Sequence, residues 1–118
     1  MKKALSIIAI VLLLAGMAGA VEWTNKSSQT ATAAITTTSG YLHGIMLATD
    51  GTNAVTISVY DNASAASGTK LIPTQVVTTS AANRSTAISI SPAVIFYNGV
   101  YVEITCSGTV AYIVYYKN

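Results

Sequence analysis

Apolar and polar side chains alternate along most of the chain beyond residue 40. In Ala54–Tyr60, Val55, Ile57 and Val59 point inward and Thr56, Ser58 and Tyr60 outward. Thr86, Ile88 and Ile90 alternate with Ser85, Ala87 and Ser89; Val100, Val102, Ile104 and Cys106 alternate with Tyr101, Glu103 and Thr105. A period of two marks a half-buried strand. Tyr41–Thr49 and Thr109–Tyr116 are apolar on both faces. Thr30–Thr37 predicts a weak, polar first strand. Lys70–Thr78 predicts a strand that Pro73 confines to an edge or bulge, and Ala93–Tyr97 a separate strand after Pro92. No window shows the i, i+3, i+4, i+7 stripe of a helix.

Turn residues fall between these runs. Asp50-Gly51, Ser80–Asn83 and Ser107-Gly108 predict turns, Asp61–Gly68 is a small-residue loop, and Asn98-Gly99 is the strongest hairpin signal, predicting a type I′ turn. A single sheet would leave one face of 41–49 and 109–116 in water. The pattern therefore predicts an all-β chain, a single β-sandwich or jelly-roll domain of seven or eight short antiparallel strands.

The first twenty residues are a different object. Lys2 and Lys3 form a positive n-region, Ala4–Ala15 is apolar apart from Ser6, and Ala18-x-Ala20 closes the segment. This is the three-part pattern of a hydrophobic signal helix cleaved after Ala20. A retained anchor is the alternative, because Ala4–Val21 reaches the short edge of a spanning length. The expected organisation is a signal peptide (1–20), an N-terminal arm or first strand (21–39) and a β-sandwich domain (40–118). The expected location is secreted, periplasmic or cell-surface, with membrane contact only through the signal segment before cleavage.

Composition changes once that segment is set aside. The whole chain of 118 residues carries a formal charge of +2. Beyond residue 20, Lys26, Lys70, Arg84 and Lys117 balance Glu22, Asp50, Asp61 and Glu103. A formally neutral domain has no basic patch for nucleic acid and no polybasic run for an acidic membrane. Cys106 is the one cysteine, which excludes an intramolecular disulfide; on a strand it reads as a small hydrophobe.

Three segments resemble a known group. Val59-Tyr60-Asp61-Asn62 leads into a loop ending Ser67-Gly68-Thr69-Lys70, Tyr97-Asn98-Gly99-Val100-Tyr101-Val102 joins two strands, and Val110–Tyr116 forms a terminal strand. Across Gly40–Tyr116 the chain resembles the small single-domain β-sandwich structural proteins of tailed phages, head-decoration or fibre-type subunits, here with an N-terminal signal peptide. The resemblance implies a virion component without catalytic residues.

The residues themselves predict no catalysis, cofactor or metal. One His, one Cys and scattered carboxylates form no ligand cluster. Asp50-Gly51-Thr52-Asn53 is too short for a calcium loop. Ser67 and Lys70 match S-x-x-K, but that pair belongs at a helix start with companion motifs absent here. His43 reads as a structural or partly exposed side chain, and the three N-x-S matches at Asn25, Asn62 and Asn83 as surface turns.

The aromatic residues remain. Tyr97, Tyr101, Tyr112, Tyr115 and Tyr116 gather in the last strands, and Trp23 stands at the head of the polar run Thr24–Thr38. These six are the candidate interaction surface, against cross-strand packing as the plainer reading. The arm completes its own sheet or adds a strand to a neighbour, with self-pairing the safer reading. The expected function is a non-enzymatic structural or assembly subunit that associates with itself or with other structural proteins. The alternative is a secreted carbohydrate- or receptor-binding module that uses the Tyr-rich strands and takes a surface glycan.

Overall fold

A computed structural model describes residues 24–118. The signal segment, the Ala18 and Ala20 cleavage motif and Trp23 lie outside the described residues. Eight strands follow: β1 (Thr24–Asn25), β2 (Ala33–Thr36), β3 (Gly40–Thr49), β4 (Val55–Tyr60), β5 (Lys70–Val77), β6 (Ser85–Phe96), β7 (Val100–Cys106) and β8 (Val110–Lys117). There is no helix among the described residues. The polar first strand contracts from the expected Thr30–Thr37 to Ala33–Thr36.

Two four-stranded sheets form, ordered β1-β8-β3-β6 and β2-β7-β4-β5, and every pairing is antiparallel. One apolar cluster draws on both: Leu42, Phe96 and Tyr112 from the first sheet meet Ile57, Val59 and Val102 from the second. This arrangement is compatible with a β-sandwich. β8 shows the underlying rule, since Val110, Tyr112, Val114 and Tyr116 are buried and the residues between them are half-buried.

Three expectations change. First, Asp50-Gly51, Asn98-Gly99 and Ser107-Gly108 do not close hairpins. Each carries the chain from one sheet to the other, since β3, β6 and β8 lie in the first sheet and β4 and β7 in the second. Among the described residues no non-glycine residue has a positive φ, so Asn98-Gly99 is not a type I′ turn, which needs positive φ at both positions. Among the described residues, β4 and β5 are the one pair both consecutive in sequence and adjacent in a sheet.

Second, the expected separate strands 85–90 and 93–97 are one strand, β6, with Pro92 inside it. Its pairing with β3 jumps from Leu42↔Val94 to Gly44↔Ser89, so residues 90–93 stand outside the ladder. The sheet tolerates this because β6 is an edge strand. Third, β3 is bulged at His43: Leu42 pairs with Tyr116 and Gly44 with Tyr115. The extra residue shifts the alternation, so Leu42 and Ile45, three apart, are both buried.

The N-terminal arm pairs with its own chain. Thr24 and Asn25 join Tyr116 and Tyr115, Gln29 bridges Tyr112, and Thr32 Oγ1 bonds to the backbone of Ile104.

Two carboxylates hold the inter-sheet turns. Asp61 accepts hydrogen bonds from the Tyr97 and Asn98 N–H groups at 2.7–3.1 Å. Asp50 accepts from the N–H groups of Thr52, Asn53 and Thr109 and from Asn53 Nδ2. Donors aimed at the charged form, the Asn53 and Thr52 N–H groups first, hold the Asp50 carboxyl well below the usual carboxylate range. Its contribution to stability is therefore complete above the unfolded pKa of about 4 and declines as pH falls below that towards the depressed folded value. We expect Asp50→Asn to lower the melting temperature at neutral pH. In thermal melts from about pH 6 to about pH 2.5, its deficit against wild type should narrow steadily below about pH 4.

Candidate functional site

The five candidate tyrosines among the described residues do not share a surface. Period-two geometry sends neighbours to opposite faces, which separates Tyr115 from Tyr116. Tyr116 is buried and meets Phe96 edge to face, with ring centroids 6.4 Å apart. Tyr112 is buried too, and its hydroxyl donates to the Ala31 carbonyl at 2.8 Å. Burial, with Tyr101 adding repulsion, pushes the Tyr112 phenol up to about 12. Tyr112 and Tyr116 are therefore core residues, which corrects their place in the expected surface. Tyr97 is exposed just beyond β6. Tyr101 and Tyr115 lie on the outer faces of different sheets.

The outer face of the first sheet is apolar and almost free of charge. Tyr41, Met46 and Ile95 are each about half exposed. Register places Ile113 and Ala87 beside Met46, and Ala111 beside Ala48. A shallow depression of about 210 Å³ is lined by His43, Gly44, Met46, Ala87, Ser89 and Tyr115. The sheet's strands hold one ionised side chain near neutral pH, Lys117, and no carboxylate. Partial burial first, then the Lys117 charge, lowers the His43 pKa and favours its neutral form.

The second sheet's outer face is mostly polar, with exposed Val76 opposite Thr56 as an apolar exception. Tyr60 sits opposite Tyr101, Ser58 opposite Glu103 and Thr56 opposite Thr105. Tyr60 Oη donates to Glu103 Oε2 at 3.2 Å, while Lys70 Nζ stands 5.6 Å from the Tyr60 ring centroid. Lys70 Nζ also donates to Thr74 Oγ1 at 2.6 Å, and Thr74 Oγ1 lies 3.0 Å from Ser58 Oγ.

Alternation puts Tyr60 on an outward face and Glu103 on the face opposite Val100 and Val102 without singling either out, and it passes over Tyr41, Met46 and Ile95 as well. The missing signal was the β4·β7 and β3·β6 pairings, which bring together residues about forty to fifty apart in sequence.

The S-x-x-K pair engages separate partners: Ser67 Oγ accepts from Asn62 Nδ2, and Lys70 reaches Thr74. Asn62 also caps its own loop, its Oδ1 accepting from the Ser64 and Ala65 N–H groups. Cys106 is half-buried beside the core, with the Gly108 N–H directed at its sulfur. Among the described residues no three His, Cys, Asp or Glu side chains converge as metal ligands. Comparison with protein-family models, with curated proteins and with solved structures finds no match to this chain.

Proposed function

We propose that this protein is a non-enzymatic jelly-roll subunit of an exported surface structure or a virion, and that it assembles with copies of itself through the outer face of its first sheet. The fold name rests on the pairings β1·β8, β2·β7, β3·β6 and β4·β5. The chain is one long antiparallel hairpin rolled so that alternate pairs fall in alternate sheets, as in eight-stranded jelly rolls.

The exposed apolar face carries the assembly reading. Tyr41, Met46 and Ile95 present large side chains to water with no carboxylate on the same sheet. Such a patch on a domain with so few charges marks a surface built to meet another. The edges are poorer candidates. β1 and β2 have only two and four residues, and β5 and β6 carry Pro73 and Pro92, devices that discourage edge-to-edge pairing.

Met46→Glu tests the reading. In an isologous contact the substitution places two like charges in one apolar interface. Sedimentation velocity should show wild type as an oligomer and Met46→Glu as a monomer, with the melting temperature nearly unchanged because Met46 is half exposed. A wild type that stays monomeric at high concentration, or an oligomer indifferent to Met46→Glu, would exclude this interface.

A further inference from the structure

We infer that the outer face of the second sheet is a binding site for a neutral glycan, built on Tyr60, Tyr101 and Glu103 with Lys70 at its margin. This site lies on a different sheet from the proposed assembly face and stands independently of it.

β4 and β7 are adjacent, and their register sets Tyr60 beside Tyr101 with Ser58 and Glu103 as the next pair. Alternation explains why Tyr60, Tyr101 and Glu103 face outward: Val59, Val100 and Val102 fill the inward positions, and Ser58 is buried where it bonds to Thr74. Both tyrosines and Glu103 are half-buried, so their apolar stems are packed while polar atoms remain at the surface. Tyr60 is held at two points, by its bond to Glu103 and by the Lys70 ammonium over its ring. A ring and carboxylate ordered before binding lose less freedom when a ligand arrives.

The chemistry selects the ligand. A pyranose offers an apolar C–H face and a rim of hydroxyls that both donate and accept. Tyr101 supplies an amphipathic aromatic surface for the C–H face. Glu103 accepts one bond from Tyr60 and keeps further lone-pair sites for sugar hydroxyls. Lys70 and Thr74 continue a line of polar groups along the same face, with the buried Ser58 hydroxyl bonded to Thr74 from beneath. One ammonium and one carboxylate leave the patch neutral. That disfavours phosphate-rich or sulfated ligands, which need clustered Arg or Lys, and suits an uncharged polyhydroxyl chain.

The test is titration of the purified full chain with maltohexaose, cellohexaose, chitohexaose, xylohexaose and mannohexaose by calorimetry, with heparin as the anionic comparison. At least one neutral oligosaccharide should bind. Tyr101→Thr, which keeps a strand-forming residue, should weaken it about tenfold or more. Glu103→Gln should weaken it several-fold, while Tyr101→Phe and Met46→Glu should retain it. If Tyr101→Thr lowers the melting temperature too far to assay, Glu103→Gln decides the outcome alone. No binding to any of the five neutral oligosaccharides, binding to heparin only, or full affinity in both Tyr101→Thr and Glu103→Gln would overturn the assignment.

Discussion

Phe96→Ala should cost about 3–5 kcal/mol of unfolding free energy, measured by chemical denaturation at neutral pH. Phe96 is fully buried at the end of β6, where the chain leaves one sheet for the other. Its ring packs edge to face on Tyr116. A Cβ added to its register partner Gly40 would overlap the Lys117 carbonyl oxygen and also meet the Phe96 ring at 2.9 Å, so the β8 backbone and the Phe96 ring together hold position 40 to glycine. Removing the ring leaves a cavity in the core beside Tyr116, which the surrounding structure refills only in part. For a domain of this size the loss is a large share of the total stability, on the order of 5–15 kcal/mol. Phe96→Leu keeps most of the volume and should cost roughly 1.5 kcal/mol or less.

Gly99→Ala should cost about 3 kcal/mol or more, and Gly68→Ala about 1–2 kcal/mol, in the same denaturation measurement. Both glycines have positive φ, +133° at Gly99 and +91° at Gly68. The difference is space. At Gly68 the nearest atom to an added Cβ is the Asp61 carbonyl oxygen at 4.0 Å, so the cost there is backbone strain alone. At Gly99 the Cβ would overlap the Thr36 carbonyl oxygen and press on Ala63 and Thr37. Gly99 is the crossing point at which the turn between sheets passes under the end of β2 and the β4–β5 loop. Its substitution must displace Thr36, whose partner in the second sheet is Val100. Equal losses at the two positions would show that Gly99 is not under this contact.

The strands were largely legible, and for a simple reason. Val, Ile, Thr and Tyr at a period of two say which side of a pleat faces the core, and that information is local. Val55, Ile57 and Val59 were read as inward from their spacing, and all three are fully buried. Local information failed where the ladder is irregular. Pro92 predicts a break between two strands, yet it falls within residues 90–93, which stand outside the ladder with β3, so its missing N–H breaks no pairing and the edge strand β6 runs through. The bulge at His43 was also invisible, because an extra residue shows only against its partner strands.

The candidate site was less legible than the fold. Counting tyrosines near the C-terminus grouped Tyr112 and Tyr116 with Tyr101 and Tyr115. In β8 alone, alternation already implies that Tyr115 and Tyr116 cannot share a face. Which of them faces the core depends on the partner sheet, and the answer put Tyr112 and Tyr116 inside. Tyr60 and Tyr101 are forty-one positions apart and meet because β4 and β7 are neighbours in register.

By itself, then, the sequence determined the all-β class, the strand positions, the inward set of most strands and the places where the chain bends. Those properties follow from steric preference and hydrophobic period, which act within a few residues. Tertiary structure alone decided which sheet each strand joins. Asp50-Gly51, Asn98-Gly99 and Ser107-Gly108 are good turns by any local standard. A turn residue specifies a backbone angle, not whether the strands on either side share hydrogen bonds or face each other across a core. That choice was made by burial of the two inner faces against each other, and it turned the hairpin expected at Asn98-Gly99, like the turns at Asp50-Gly51 and Ser107-Gly108, into a crossing between sheets.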